Sequence, residues 1–116
     1  MNSAYLVGRL TKDPEIEQYE NGKRTRISLA IGRPFRNSEG LYETDYITCT
    51  VWNAIADRVC EYCKKGDMIS VKARIQNNNY VDKNDNKVYT YEFIAEQVSF
   101  MQNAKNNDSF ISVEKE

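Results

Sequence analysis

The stretch Tyr46 to Trp52 has the clearest chemical content in this chain of 116 residues. Side chains on a β-strand point alternately to its two faces, so Ile47, Cys49 and Val51 share one face, while Tyr46, Thr48, Thr50 and Trp52 share the other. The threonines mark the second face as wet, and two large aromatics on a wet face need a partner. Nucleobases are one such partner, because every base has a π-face and stacking contributes about 1–3 kcal/mol per base without regard to sequence. Residues Met68 to Tyr80 repeat the pattern: Ile69, Val71, Ala73 and Ile75 alternate with Ser70, Lys72, Arg74, Gln76, Asn78 and Tyr80. In the absence of a bulge, an aromatic again shares the polar face, here with two cations, combining a stacking surface with phosphate neutralisation. The alternative for Tyr46, Trp52 and Tyr80 is packing under loops or in a subunit interface, with their polar atoms satisfied.

Charge is segregated along the chain. Sixteen Lys and Arg against seventeen Asp and Glu give a net charge of -1, which removes whole-molecule positive charge as an argument for a nucleic-acid partner. Between Gly22 and Ser38, however, lie Lys23, Arg24, Arg26, Arg33 and Arg36 and no acid. Such a run can line a local basic groove, although a solvated strand face is the commoner outcome. Phe35 lies inside the run, yet strict alternation places it with Ile27, Leu29 and Ile31 on the core side, unless Gly32 or Pro34 marks a bulge or the end of the strand.

Other chemistries lose their groups. Histidine is absent, which excludes Ser-His-Asp and Cys-His nucleophiles and every zinc site that needs imidazole. Cys60 and Cys63 form a Cys-x-x-Cys pair, the basis of a rival redox or metal reading. The pair falls near a helix C-terminus, where the dipole disfavours a thiolate, and no second pair completes a four-ligand site. Cys49 is in phase with the core, so all three thiols read as small buried hydrophobes. No carboxylate pair suggests acid/base catalysis, and Gly8, Gly22, Gly40 and Gly66 make no phosphate-cradling motif. No enzyme activity, cofactor or metal is expected.

These residues need a scaffold of short strands. Beta-branched and aromatic runs are broken by turn signals at Asn21-Gly22, Ser38-Glu39-Gly40, Gly66-Asp67 and Asp82 to Asn86, as in a small all-β domain. The pattern predicts strands over Ala4 to Leu10, Arg24 to Pro34, Tyr46 to Trp52, Met68 to Tyr80 and Val88 to Val98. A helix is predicted within Asn53 to Lys65, with Ala54, Ala56, Val59, Cys60 and Cys63 on one face and Lys64-Lys65-Gly66 as its stop. Three strands, one helix and two strands match a five-stranded Greek-key barrel of the oligonucleotide-binding type. The domain is expected over residues 1–101, followed by a polar, frayed tail over 102–116 in which Phe110-Ile111 is the one apolar island. Three cysteines, an odd number, no apolar leader and no run near the roughly 20 apolar residues that span a bilayer point to the cytoplasm and away from membranes.

The sequence resembles the bacterial single-stranded DNA-binding protein family over roughly residues 2 to 101. The resemblance rests on Tyr5-Leu6-Val7-Gly8-Arg9-Leu10-Thr11-Lys12-Asp13-Pro14-Glu15, Leu29-Ala30-Ile31, Arg33-Pro34-Phe35 and Asp45-Tyr46-Ile47-Thr48-Cys49-Thr50-Val51-Trp52. It continues in Lys64-Lys65-Gly66-Asp67, Ala73-Arg74-Ile75-Gln76 and Tyr80. It implies that single strands wrap on the barrel with bases stacked on Phe35, Tyr46, Trp52 and Tyr80, which for Phe35 requires a bulge or an early strand end near Gly32. It also implies a homotetramer, paired partly through the first strand.

The expected function is sequence-independent coating of single-stranded DNA in replication, recombination, repair or uptake, in a nucleoid-associated cytoplasmic protein. Phosphates would meet Arg33, Arg36, Lys72 and Arg74, with Thr48 on the same polar face as the rings and Arg9 and Lys87 as weaker contacts. Two departures bear on this. The chain ends Phe110-Ile111-Ser112-Val113-Glu114-Lys115-Glu116 rather than in the family's acidic Pro-Phe tip, which puts recruitment of replication and repair enzymes in doubt and suggests a short paralogue of the competence, plasmid or phage kind. Asn77-Asn78-Asn79 also stands where relatives commonly carry a basic residue. A primosomal accessory barrel is the nearest rival reading.

Overall fold

The computed structural model describes residues 1–103, so the predicted tail is described only at Gln102 and Asn103. Strand β1 covers Ala4–Leu10, β2 Glu17–Tyr19, β3 Gly22–Arg36 and β4 Tyr42–Trp52; helix α1 covers Asn53–Tyr62. Beyond the helix come β5 at Met68–Asn77, a small hairpin of β6 at Tyr80–Val81 and β7 at Lys87–Val88, and β8 at Tyr91–Gln102. The main sheet has the order β1-β5-β8-β4-β3-β2, and β1 also pairs with β3. That last pairing closes β1, β5, β8, β4 and β3 into a five-stranded barrel, the oligonucleotide-binding architecture, with the helix between the third and fourth barrel strands in chain order.

Inward-facing residues fill the cylinder. Leu10, Ile27, Leu29, Cys49, Val51, Ile69, Val71 and Ala73 are buried, and Leu6, Ile31, Phe93, Val98 and Phe100 pack against them. Helix α1 contributes Ala56, Val59 and Cys63 to this core. The predicted helical face differs in two members, because Ala54 is exposed and Cys60 only half-buried. The helix also stops before its predicted signal: Tyr62 is its last residue, and Gly66, with φ 89°, serves the following turn. At the other end, Asn53 adopts φ 54°, a left-handed conformation that Asn tolerates better than most residues. Its Oδ1 accepts the Lys23 backbone N–H at 3.2 Å. Gly22, at φ 142°, makes that approach possible, since a Cβ there would lie 2.2 Å from the same Oδ1.

Four strands differ from their predicted spans, for reasons that matter to the site; β4 begins at Tyr42 rather than Tyr46. Strand β3 runs on to Arg36, and its pairing with β4 shifts between Gly32 and Arg36, where β3 carries two more residues than its partner (Gly32 faces Thr44, Arg36 faces Tyr42). Strand β5 ends at Asn77, and Tyr80 belongs to the separate two-stranded sheet. Strand β8 begins at Tyr91 and reaches Gln102, one residue into the predicted tail. Gln102 is buried there, and its Oε1 accepts from Arg9 at 3.1 Å.

The barrel closes where β1 crosses β3, with Arg9 opposite Ala30 and Leu10 opposite Leu29. Gly8 immediately precedes this contact, and a Cβ on it would stand 2.6 Å from the Ala30 carbonyl oxygen and 2.8 Å from Ile31 Cγ1. Because one of those atoms is backbone, the strands would have to part. Gly8→Ala is expected to cost about 1–3 kcal/mol of stability, read as a lower urea midpoint with an unchanged m value.

Candidate nucleic-acid interface

Paired residues on antiparallel strands share a face, so the β3–β4 register states what lies on the outer surface. Tyr46 is opposite Ala30, Thr48 opposite Ser28, Thr50 opposite Arg26 and Trp52 opposite Arg24. The small Ala30 gives Tyr46 no cover, and that ring is 69% exposed. Thr48 is also exposed. Thr50 departs from the wet-face expectation: it is buried, and its hydroxyl donates to Glu92 of β8 at 3.3 Å.

Trp52 points outward as its parity requires, but its ring is only half-exposed. The Tyr19 ring lies 6.2 Å away, centroid to centroid, at an interplanar angle of 51°. The Arg24 guanidinium sits 4.6 Å from the Tyr19 ring centre and 5.8 Å from that of Trp52, favourable positions for a cation over aromatic faces. Arg24 also donates to the Tyr19 hydroxyl and pairs with Glu17 at 3.2 Å. Tyr19 went unnoticed in the sequence because its strand is three residues long, too short for any periodicity.

The far end of β3 answers the question of Phe35. The surplus of two residues leaves it in the parity of Ile31, opposite to that of Arg36 and Tyr42. Its ring is nevertheless 60% exposed, because β3 has here run beyond the filled part of the barrel and both its faces are exposed. Nearby, Arg36 lies 5.1 Å over the ring of Tyr42, an exposed aromatic with the same parity as Tyr46. Sequence reasoning began this strand at Tyr46 and so passed over Tyr42. Phe35, Arg36, Tyr42, Tyr46, Thr48 and Trp52 thus follow one arm and its continuation on the barrel wall. The six-residue step from Tyr46 to Trp52 alone spans about 20 Å.

Tyr80 and Lys87 lie elsewhere, on the β6–β7 hairpin, where Tyr80 is opposite Val88 and Lys87 opposite Val81, which puts the two side chains on opposite faces of the ladder. Tyr80 is exposed, although not through the parity of β5, which ends before it. Tyr89 and Tyr91 on the same arm are 73% and 71% exposed. Arg74 reaches the β4 face through a polar chain: it donates to Gln76, Gln76 donates to Glu92, and Glu92 also accepts from Thr50. Lys72 lies further round the barrel, between Tyr5 of β1 and Gln97 of β8. Arg9 is half-buried, donating to the Gly66 carbonyl at 2.8 Å and to Gln102.

The basic run is not a bare positive strip. Lys23 pairs with Asp57 at 3.3 Å, Glu17 reaches both Arg24 and Arg26, and Arg33 lies between Glu43 and Asp45. Asp45 grips Arg33 in a two-point contact, accepting from Nη2 at 2.9 Å and Nε at 3.1 Å. These hydrogen bonds hold the Asp45 carboxyl below its ordinary pKa and raise that of Arg33. The acids come from β2, β4 and α1, so a window on β3 alone overstates the local charge.

Comparison with known proteins gives these features a context. A sequence description of the single-strand binding protein family matches residues 1–101. The chain belongs to that family. It is 41% identical over 107 residues to "Single-stranded DNA-binding protein 3" of Listeria innocua, an alignment covering 91% of this chain and 67% of the relative. It is 40% identical over 101 residues to "Single-stranded DNA-binding protein B" of Bacillus subtilis, covering 86% and 89%. The "Single-stranded DNA-binding protein" of Bacillus cereus is 41% identical over 103 residues, with 88% of this chain and 61% of that protein aligned.

The cysteines are free thiols. Burial pushes Cys49 and Cys63 up to about 11, and Cys60 is also raised, chiefly by burial. Raised values suppress the nucleophilic thiolate. With a disulfide reagent at pH 8, half-exposed Cys60 should react first and slowly, while Cys49 and Cys63 should become reactive only on unfolding. Rapid modification of Cys63 in the native protein would contradict this order.

Proposed function

We propose that the protein binds and coats single-stranded DNA without sequence preference, serving replication, recombination, repair or DNA uptake, and performs no chemistry on it. One observation carries this reading: in a member of the single-strand binding family, aromatic rings stand outside a closed barrel beside arginines. Phe35, Tyr46, Trp52 and Tyr80 offer stacking faces. Arg36 is placed beside them for a phosphate, Thr48 offers a hydroxyl between the rings, and Lys87 lies on the hairpin that carries Tyr80, on its other face. Arg33 reaches phosphate by exchanging its carboxylates, and Arg74 from the β5 side. Lys72 and Arg9 are peripheral contacts, Arg9 the weaker because its donors are engaged.

Assembly through β1 fits the same reading. Strand β1 pairs with β5 along Ala4 to Arg9, whereas its pairing with β3 is confined to Arg9 and Leu10. Much of its other edge is therefore open to a strand from a second copy. Tyr5 and Val7 are 74% and 45% exposed beside it, which supports a homotetramer paired in part through this strand. No helix among the described residues is long and apolar enough to cross a membrane, consistent with work at the nucleoid. The raised thiol pKa values speak against a redox role for Cys60 and Cys63.

Saturating oligo-dT should quench Trp52 fluorescence, and unchanged emission would remove Trp52 from the binding surface. Tyr46→Ala should weaken binding by about 1–3 kcal/mol, measured by titration, with little change in melting temperature because the ring is exposed. Long DNA should saturate at a fixed number of nucleotides per assembly in gel filtration, which an accessory barrel would not show. Val7→Glu should reduce the mass of the free assembly.

A further inference from the structure

Three of the four arginines of β3, Arg24, Arg26 and Arg33, are held by carboxylates, while Arg36 lies over the ring of Tyr42. Glu17 Oε1 lies 3.2 Å from Arg24 and 3.6 Å from Arg26, the residues opposite Trp52 and Thr50. Arg33, two residues before Phe35, carries Asp45 on one side of its guanidinium and Glu43 on the other. Carboxylate and phosphodiester oxygens bind the same guanidinium fork, so a phosphate can take these arginines only by displacing an acid. The pairs are solvent-exposed, with side-chain exposures of 23% to 54%. Such pairs exchange at little cost.

We infer that Glu17, Glu43 and Asp45 are built-in competitors of the DNA backbone, occupying Arg24, Arg26 and Arg33 in the free protein and lowering its affinity for single strands. The inference rests on the proposed DNA-binding reading and assigns a role to residues that reading leaves out. Two consequences follow from electrostatics. Each competitor lowers affinity by the stability of its pair, and added salt weakens that pair along with the phosphate contact. The salt slope of this protein is therefore shallower than the roughly -0.7 per phosphate contact on single strands. A weakly negative protein thereby keeps these three arginines near its stacking surface without presenting them bare to other polyanions.

Titration with fluorescent oligo-dT at several salt concentrations tests this on the full chain. The double variant Glu43→Gln/Asp45→Asn should bind about three- to tenfold tighter at low salt, the gain expected from freeing one exposed guanidinium, and should show a steeper slope. Glu17→Gln should act in the same direction. Adding Arg33→Met to the double variant should abolish its gain. Glu61→Gln, which removes one charge as Glu17→Gln does but on α1 and paired with none of the β3 arginines, should leave affinity within twofold. Unchanged or weaker binding by a double variant that melts normally would overturn the inference, as would a gain from Glu61→Gln equal to that from Glu17→Gln. If the unmodified protein fails to bind oligo-dT at all, the DNA-binding reading itself falls.

Discussion

A small β-barrel has room inside for one face of each strand, and this steric limit governs everything the molecule offers on its surface. Once Ile27, Leu29, Cys49 and Val51 occupy the interior, their neighbours on β3 and β4 must face outward. Tyr46, Thr48, Trp52, Arg24 and Arg26 are outside because the core leaves them nowhere else to go. A barrel that stacks bases on its wall thus needs no pocket. Its binding surface is the reverse side of its own hydrophobic core, held flat and spaced by the same backbone ladder that closes the cylinder.

That coupling explains which parts of the site could be read in the amino-acid pattern. Tyr46 and Trp52 were legible because strict alternation with Cys49 and Val51 leaves one answer for each side chain. Phe35 was not, since its parity survives the two-residue surplus between Gly32 and Arg36 while the strand has there run past the core, so that both faces are exposed. Tyr80 emerged exposed for a different reason from the one its spacing offered, because the chain leaves the barrel after Asn77 and starts a separate hairpin. Ala54 shows the converse error: helical spacing permits it on the core face, yet the buried stripe of α1 is completed by Ala56, Val59 and Cys63 without it.

What the sequence concealed was nonlocal. Tyr19 covers Trp52 from a strand of three residues, and Glu17 beside it reaches two arginines across the sheet. Glu43 and Asp45 fall outside the predicted strands, whereas they lie on β4 beside Arg33. Counting charge along a window of β3 gave a basic run; folding returned acids from three other elements to it. Charge segregation in sequence and charge segregation in space are different quantities, related by strand register.

The join between β1 and β3 has a mechanical meaning. It rests on two residue pairs, with the Thr11 N–H donating to Ser28 alongside, and the parallel seam between β4 and β8 is equally short. A tube sealed along two such zips will breathe at them first. Slow fluctuations of the native state should therefore start at these two slits, leaving the long β3–β4 ladder, which bears Tyr46 and Thr48, as the stiffest plate of the molecule.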